Sequence, residues 1–275
     1  MFQPSFSRLA TASALLAALG AAAAALAGPL YRIRALELEP TLWLIVAGTA
    51  AAALAVVLGL GGLLATRGLR GRRGRGRALA GILLGGVVAA VAGPPIHAAA
   101  LGPQIHDVST DLEQPPAFRV LADARQRAGK SAAHPGEAMA QRQAEAYPEL
   151  ASRTYDQSTS ELLSAAEGAA LSLEWTIART DMQGALEATS RSRWLAFVHD
   201  VVVRIRDEGD ERRVDVRAAS RTGDRDLGAN VELVRSFYTA LEAQLAGDAE
   251  RMISDPDVGY DQRFRQAAQA MRRIP

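Results

Sequence analysis

The pattern of apolar and polar positions changes after about residue 100. Before that point apolar residues run on, and residues 9–30, 40–66 and 78–96 carry no charged side chain. About 20 apolar residues cross the hydrocarbon core as a helix. The pattern therefore predicts three transmembrane α-helices over about 9–30, 42–65 and 78–95, within a membrane region 1–103. The third is the weakest, being short, rich in Gly and Ala, and ended or kinked at Pro94-Pro95. The spacing Gly81-x-x-x-Gly85 fits close helix packing. None of the three holds an ionisable residue, which argues for an anchor rather than a transport path.

From residue 104 to 275 the pattern is that of a soluble α+β domain, with its core over about 155–247. Residues 94–118 read as extended, Pro115 and Pro116 opposing a helix. A short helix is predicted over 136–147, ending before Pro148. Ser158-Thr159-Ser160-Glu161 reads as a capping box that opens a helix to about Ala170. Four strands follow, over 172–179, 185–191, 194–206 and 212–220, with Gly184 and Gly209 in two of the turns. Such short links make antiparallel hairpins, since parallel neighbours need a crossover. Val231, Val234, Tyr238, Leu241 and Leu245 then recur at helical spacing, with Asn230 placed to cap that helix. The expected architecture is an antiparallel four-stranded sheet with helices packed on one face. Residues 255–275 read as weakly helical through Tyr260, Phe264, Ala267 and Met271.

Charge divides at the same place. The first 103 residues hold nine Arg against Glu37 and Glu39; the rest hold 22 basic and 28 acidic residues. Six of the arginines lie in the short connection 66–77, which the positive-inside rule assigns to the cytoplasm. This predicts a multi-pass protein of the inner (plasma) membrane with a cytoplasmic N-terminus and a periplasmic soluble domain. A cleaved signal peptide is the competing reading of the first segment, with Arg8 ahead of it and Ala25-Leu26-Ala27 resembling a cleavage site. Its apolar run exceeds the usual stretch of about 7–15 residues, and cleavage leaves the final side unchanged. The acidic soluble part argues against nucleic acid as a partner. Lys130 is the only lysine and there is no cysteine. The first fact fits a GC-rich bacterial genome, and the second excludes disulfides and thiolate chemistry.

Two stretches carry a family resemblance. One is I-H-D-V-S-T-D, Ile105 to Asp111, followed by P-P-A-F, Pro115 to Phe118. The other is F-V-H-D-V-V-V-R from Phe197, with V-D-V-R-A-A-S-R-T-G-D-R-D-L-G-A-N ending at Asn230. Together they resemble the bacterial and plastid family known as domain of unknown function 1499, over roughly 104–246. That resemblance implies N-terminal membrane helices, and it brings no activity with it. The chain departs from the family pattern at His199-Asp200, where paired acids are usual, at Ala218, where a serine is usual, and at Val231, where an alanine is usual.

Strand alternation places Asp200, Arg204, Asp215, Arg217 and Arg221 on one side of the sheet, joined by Glu187, with Asp226 and Asn230 at its rim. One reading is a salt-bridged outer face. The other is an anion site with Arg217 and Arg221 as forked donors held by Asp215 and Asp200. His106, Asp107 and Asp111 form a second polar group, read as turn and capping residues rather than a metal site. His199 alternates with apolar neighbours and reads as a core histidine, Ser220 lacks a G-x-S-x-G context and an adjacent base, and Trp175 and Trp194 read as core aromatics. No cofactor fingerprint is present. The function these features point to is a membrane-anchored envelope protein whose periplasmic domain binds a ligand or partner. The expected partners are the lipid bilayer and either an envelope protein or a small anionic ligand. The alternative is an envelope hydrolase using the Asp/Arg cluster.

Overall fold

The computed structural model of the protein describes residues 6–66, 73–223 and 228–254, with side chains to residue 247. The chain divides into two compact units, Met1–Pro103 with Ser192–Phe197, and Gln104–Arg191 with Val198–Pro275. Asp226 and residues 255–275 lie outside the described residues.

In the first unit the helices are α1 (Arg8–Arg32), α2 (Leu38–Ala65) and α3 (Arg75–Leu101). All three are long and apolar enough to cross a membrane, which marks a membrane protein by length and composition. Small residues let the backbones approach. A Cβ on Gly20 would stand 2.5 Å from the Gly48 carbonyl, and one on Gly85 2.5 Å from that of Ala52. Ser13 Oγ donates to the Ala55 carbonyl at 2.7 Å, a side-chain bond between α1 and α2. At the start of α1, Ser7 caps the helix by accepting from the Ala10 N–H, and Phe6 bridges Arg73. Arg77 stacks over the Phe6 ring at 4.0 Å. The starts of α1 and α3 thus share one end of the bundle, and Arg8, Arg73, Arg75 and Arg77 gather there. The third helix runs on past Pro94-Pro95 to Leu101. Proline's fixed φ is helical, so the chain continues at the loss of two N–H donors, where sequence alone reads an extended segment.

The second unit holds β1 (Asp107–Ser109), α4 (Ala122–Arg127), α5 (Glu137–Ala146), β2 (Arg153–Tyr155), α6 (Thr159–Ser172), β3 (Thr176–Asp181), β4 (Ala185–Arg191), β5 (Val198–Asp207), β6 (Arg212–Ser220) and α7 (Ala229–Ser254). The sheet is antiparallel and has six strands rather than four, in the order β1-β6-β5-β4-β3 with β2 also paired to β6. The two additional strands have three residues each, too few to show alternation in sequence. The Ser158 box is formed as expected, with both reciprocal bonds to Glu161.

One face of the sheet is apolar. Leu186, Ala188, Val201, Val203, Ile205, Val214, Val216 and Ala218 pack against Leu162, Ala166 and Ala169 of α6 and Val231, Val234, Phe237 and Leu241 of α7. Trp175 stacks on Phe237 with centroids 5.8 Å apart, whereas Trp194 is exposed rather than core. The other face is also covered. Phe118 and Leu121, leading into α4, pack on Val202 and Ala219. Where these residues lie over it, the polar side of the sheet is therefore interior, and that placement governs what its charges can do.

Candidate functional site

Antiparallel register sets the polar layer. Asp200 lies opposite Ala219 and Thr189, Val202 opposite Arg217 and Glu187, and Arg204 opposite Asp215. The period of two turns all these side chains to one face, so Glu187, Asp200, Arg204, Asp215 and Arg217 lie on the same side of the sheet. They sort into three groups.

In the first, Arg221 grips Asp200 with Nε and Nη2 (2.7 and 2.6 Å), and Arg125 of α4 adds a bond from Nη1 at 3.0 Å. Arg125 also donates to the carbonyls of Ala219 and Ser131. In the second, Arg217 donates through Nε and Nη2 to the two oxygens of Asp107 (2.9 and 2.7 Å) and through Nη1 to the carbonyls of Pro116 and Ala132. The Phe118 ring lies 4.6 Å from this guanidinium and 4.8 Å from that of Arg125, so one aromatic side chain covers two buried cations. Glu187 belongs to the same layer. Its carboxylate accepts the backbone N–H groups of Arg119, Val120 and Leu121 at 2.9–3.0 Å, where α4 begins. An anion at a helix start satisfies donors that the helix leaves unpaired.

The third group is more open. Asp215 Oδ2 accepts from Arg204 Nε and Nη2 (3.0 and 2.7 Å), and its Oδ1 accepts from Arg213 Nε and Ser152 Oγ. Asp111 Oδ2 accepts from Arg204 and Arg206 (2.9 and 2.7 Å), while its Oδ1 takes the N–H groups of Glu113 and Gln114. Burial acts to raise the Asp111 pKa, but the Gln114 N–H and the positive charges of Arg213, Arg206 and Arg204 outweigh it and hold the carboxyl below its ordinary value.

Asp200, Asp215 and Arg217 are at most 1% exposed. Their polar capacity is spent inside the protein. The N-terminal motif is dispersed over the same network: Asp107 holds Arg217, Asp111 holds Arg204 and Arg206, and His106 contributes its carbonyl to the Ser220 N–H and to Asn230 Nδ2. Asn230 sits inside the first turn of α7 and reaches the apolar side, not the rim of the polar layer. Its Oδ1 lies 2.8 Å from His199 Nδ1, and Ser220 Oγ lies 3.1 Å from the same nitrogen.

Ser220 thus does have a histidine beside it, brought by the pairing of β5 with β6, which sequence alone does not disclose. Both contacts fall on one nitrogen, and Asn230 Nδ2 also donates to Ser220 Oγ at 3.2 Å. Ser220 is also 1% exposed. That arrangement is a buried polar cluster that ties β5 and β6 to the first turn of α7.

Arg125, Arg206, Arg213, Ser152 and Phe118 are participants that sequence reading passes over. For Arg206 and Arg213 the alternation of β5 and β6 carries the signal. Arg125 and Ser152 belong to segments whose docking only the tertiary structure fixes. A cavity of about 100 Å³ lies beside the layer, lined by Arg119, Arg179, Asp181, Ala185 and Glu187. Among the described residues no group of three or more His, Asp or Glu is placed to hold a metal ion.

The family model described as protein of unknown function (DUF1499) matches residues 107–241. That span runs from the first residue of β1 to the buried Leu241 of α7 and takes in the whole sheet. No curated protein and no solved structure matches the chain.

Proposed function

Residues 107–241 belong to the DUF1499 family, and from that premise we propose that the chain is a membrane-anchored protein of the bacterial envelope. Its domain faces the periplasm and binds a ligand or partner there without turning it over. The observation that carries the binding reading is the commitment of the buried carboxylates. A general base needs a carboxylate within reach of a substrate proton, and Asp200 and Asp215 are fully enclosed by arginine and hydroxyl donors. This favours binding over hydrolysis by the Asp/Arg cluster. Orientation is supported by Arg8, Arg73, Arg75 and Arg77 gathering at one end of the helical unit, since cytoplasmic ends carry such an excess.

Topology reporters test the placement. Alkaline phosphatase fused after Leu101 is expected to be active, and a fluorescent protein active only in the cytoplasm is expected to glow when fused after Arg70. Fluorescence after Leu101 without phosphatase activity puts the domain in the cytoplasm and overturns the envelope reading.

A further inference from the structure

We propose that Arg204, Arg206 and Arg213 form a binding site for a phosphate group, carried by a soluble phosphate compound or by a lipid headgroup. This deepens the binding-module reading and rests on it.

Elsewhere in the polar layer the guanidiniums are more enclosed, although Arg125 and Arg221 share the one carboxylate of Asp200 and Arg221 keeps 18% exposure. Arg217 has two carboxylate and two carbonyl acceptors, and Arg125 has one carboxylate and two carbonyls; both are at most 2% exposed. The third group combines three features. Three guanidiniums share two carboxylates, Asp111 and Asp215, which leaves one positive charge over. All three converge on Asp111 Oδ2, with Nη2 of Arg204, Arg206 and Arg213 at 2.9, 2.7 and 3.4 Å. And their side chains remain 25, 29 and 32% exposed, so a solute has access.

Donor accounting points the same way. Among the described residues Nη1 of each of the three makes no hydrogen bond. Among the described residues Arg206 Nε, which is shut from solvent, also has no acceptor. A buried unpaired donor calls for a physical reason, and three like charges packed around one oxygen repel one another. An oxyanion against the exposed edges of the three guanidiniums relieves that repulsion. Planar guanidinium forks match phosphate oxygens, and three arginines with a spare Nη1 suit the three-oxygen face of a phosphate better than the two oxygens of a carboxylate. The surplus of one positive charge is balanced by a phosphate monoanion. The lowered pKa of Asp111 accords with a carboxylate that keeps its charge and holds the arginines in register.

The test is calorimetric titration of inorganic phosphate into the full chain in phosphatidylcholine nanodiscs at low salt, with sodium acetate as the carboxylate control. Saturable one-site binding is expected, weakened at least tenfold by Arg206→Gln and by Arg213→Gln and unchanged by Arg179→Gln, an exposed arginine outside the group. Urea midpoints check that each variant is folded, and the two cluster variants back one another up. Competition by glycerophosphoglycerol, the headgroup of an anionic lipid, at lower concentrations than phosphate itself assigns the site to a headgroup. Absence of such competition assigns it to soluble phosphate compounds. No saturable heat with wild type, acetate binding as tight as phosphate, or equal affinity in all variants overturns the site. The titration is indifferent to which side of the membrane the domain occupies, so its failure leaves the envelope reading to the topology reporters.

Discussion

Replacing Arg217 with Met removes a cation that is 1% exposed and leaves Asp107, 2% exposed, without the two donors that hold it. It also strips a donor from the carbonyls of Pro116 and Ala132. Breaking one side of a buried pair costs about 3–5 kcal/mol, because the remaining charge stays desolvated and unmatched. Against a total stability of about 5–15 kcal/mol, that is a large share. With a urea m-value of about 2 kcal/mol/M, the midpoint should fall by roughly 2 M. The assay is urea unfolding of the full chain in micelles, with Trp43→Phe and Trp194→Phe so that Trp175, stacked on Phe237, is the sole fluorescent reporter. Asp107→Leu combined with Arg217→Met takes away both charges and should restore most of the loss, since an apolar replacement of a buried pair is often neutral. A shift below about 0.5 M for Arg217→Met, judged against that same m-value, refutes the reasoning. So does a double variant as unstable as the sum of its singles.

Glu187→Ala leaves three backbone N–H groups at the start of α4 without their acceptor and should cost about 1–3 kcal/mol, with faster amide exchange at Arg119, Val120 and Leu121; unchanged exchange there contradicts the role. In the helical unit, Gly85→Val should destabilise the packing, because a Cβ meets the Ala52 carbonyl at 2.5 Å, whereas Gly86→Val meets nothing within 4 Å and should be tolerated. Thermal aggregation in detergent compares the two, and equal behaviour disproves the packing. His134 has its pKa lowered, first by burial and then by Arg217 and His106, with Asp107 opposing. A depressed folded-state value means the stability is fully present above the ordinary value near 6.5 and is lost as pH falls through the folded-state pKa. The urea midpoint should thus drop between pH 7.5 and 5 in wild type and drop less in His134→Asn, and parallel drops in the two proteins argue against it.

What the sequence discloses follows the length of each signal. The apolar runs are longer than any soluble helix needs, so three spans are legible, and β4 to β6 show alternation over seven or more residues. The β3 strand is displaced by a few residues because α6 runs on to Ser172 and Glu174 takes a left-handed φ of 61° before the strand begins. Likewise β5 starts late, at Val198, because Ala196 turns with φ 53°. The grouping of the candidate charges on one face is readable from the period of two. That much of the face is interior is not, because residues 111–134 cover it through the short α4 and irregular backbone whose course depends on Phe118, Arg125 and the acceptor oxygens of Glu187. Nor does any local pattern reveal that Gln143 of α5 binds β1, its amide donating to the Ser109 carbonyl and accepting the Ser109 N–H.

The pairing of β1 with β6 has a consequence for biosynthesis. Asp107 stands opposite Ala219 and is gripped by Arg217, 110 residues later. During synthesis at about 5–20 residues per second, the earliest strand of the domain waits roughly 5–20 s for its partner. In that interval Asp107, Asp111 and the segment that will become the lid over the polar layer have no counter-charges, and the apolar side of Phe118 has nothing to cover. The domain closes only when its last strand arrives. Chains that terminate before Ser220 are therefore left open throughout this layer, and quality-control proteases can distinguish them from finished molecules by exposed backbone alone.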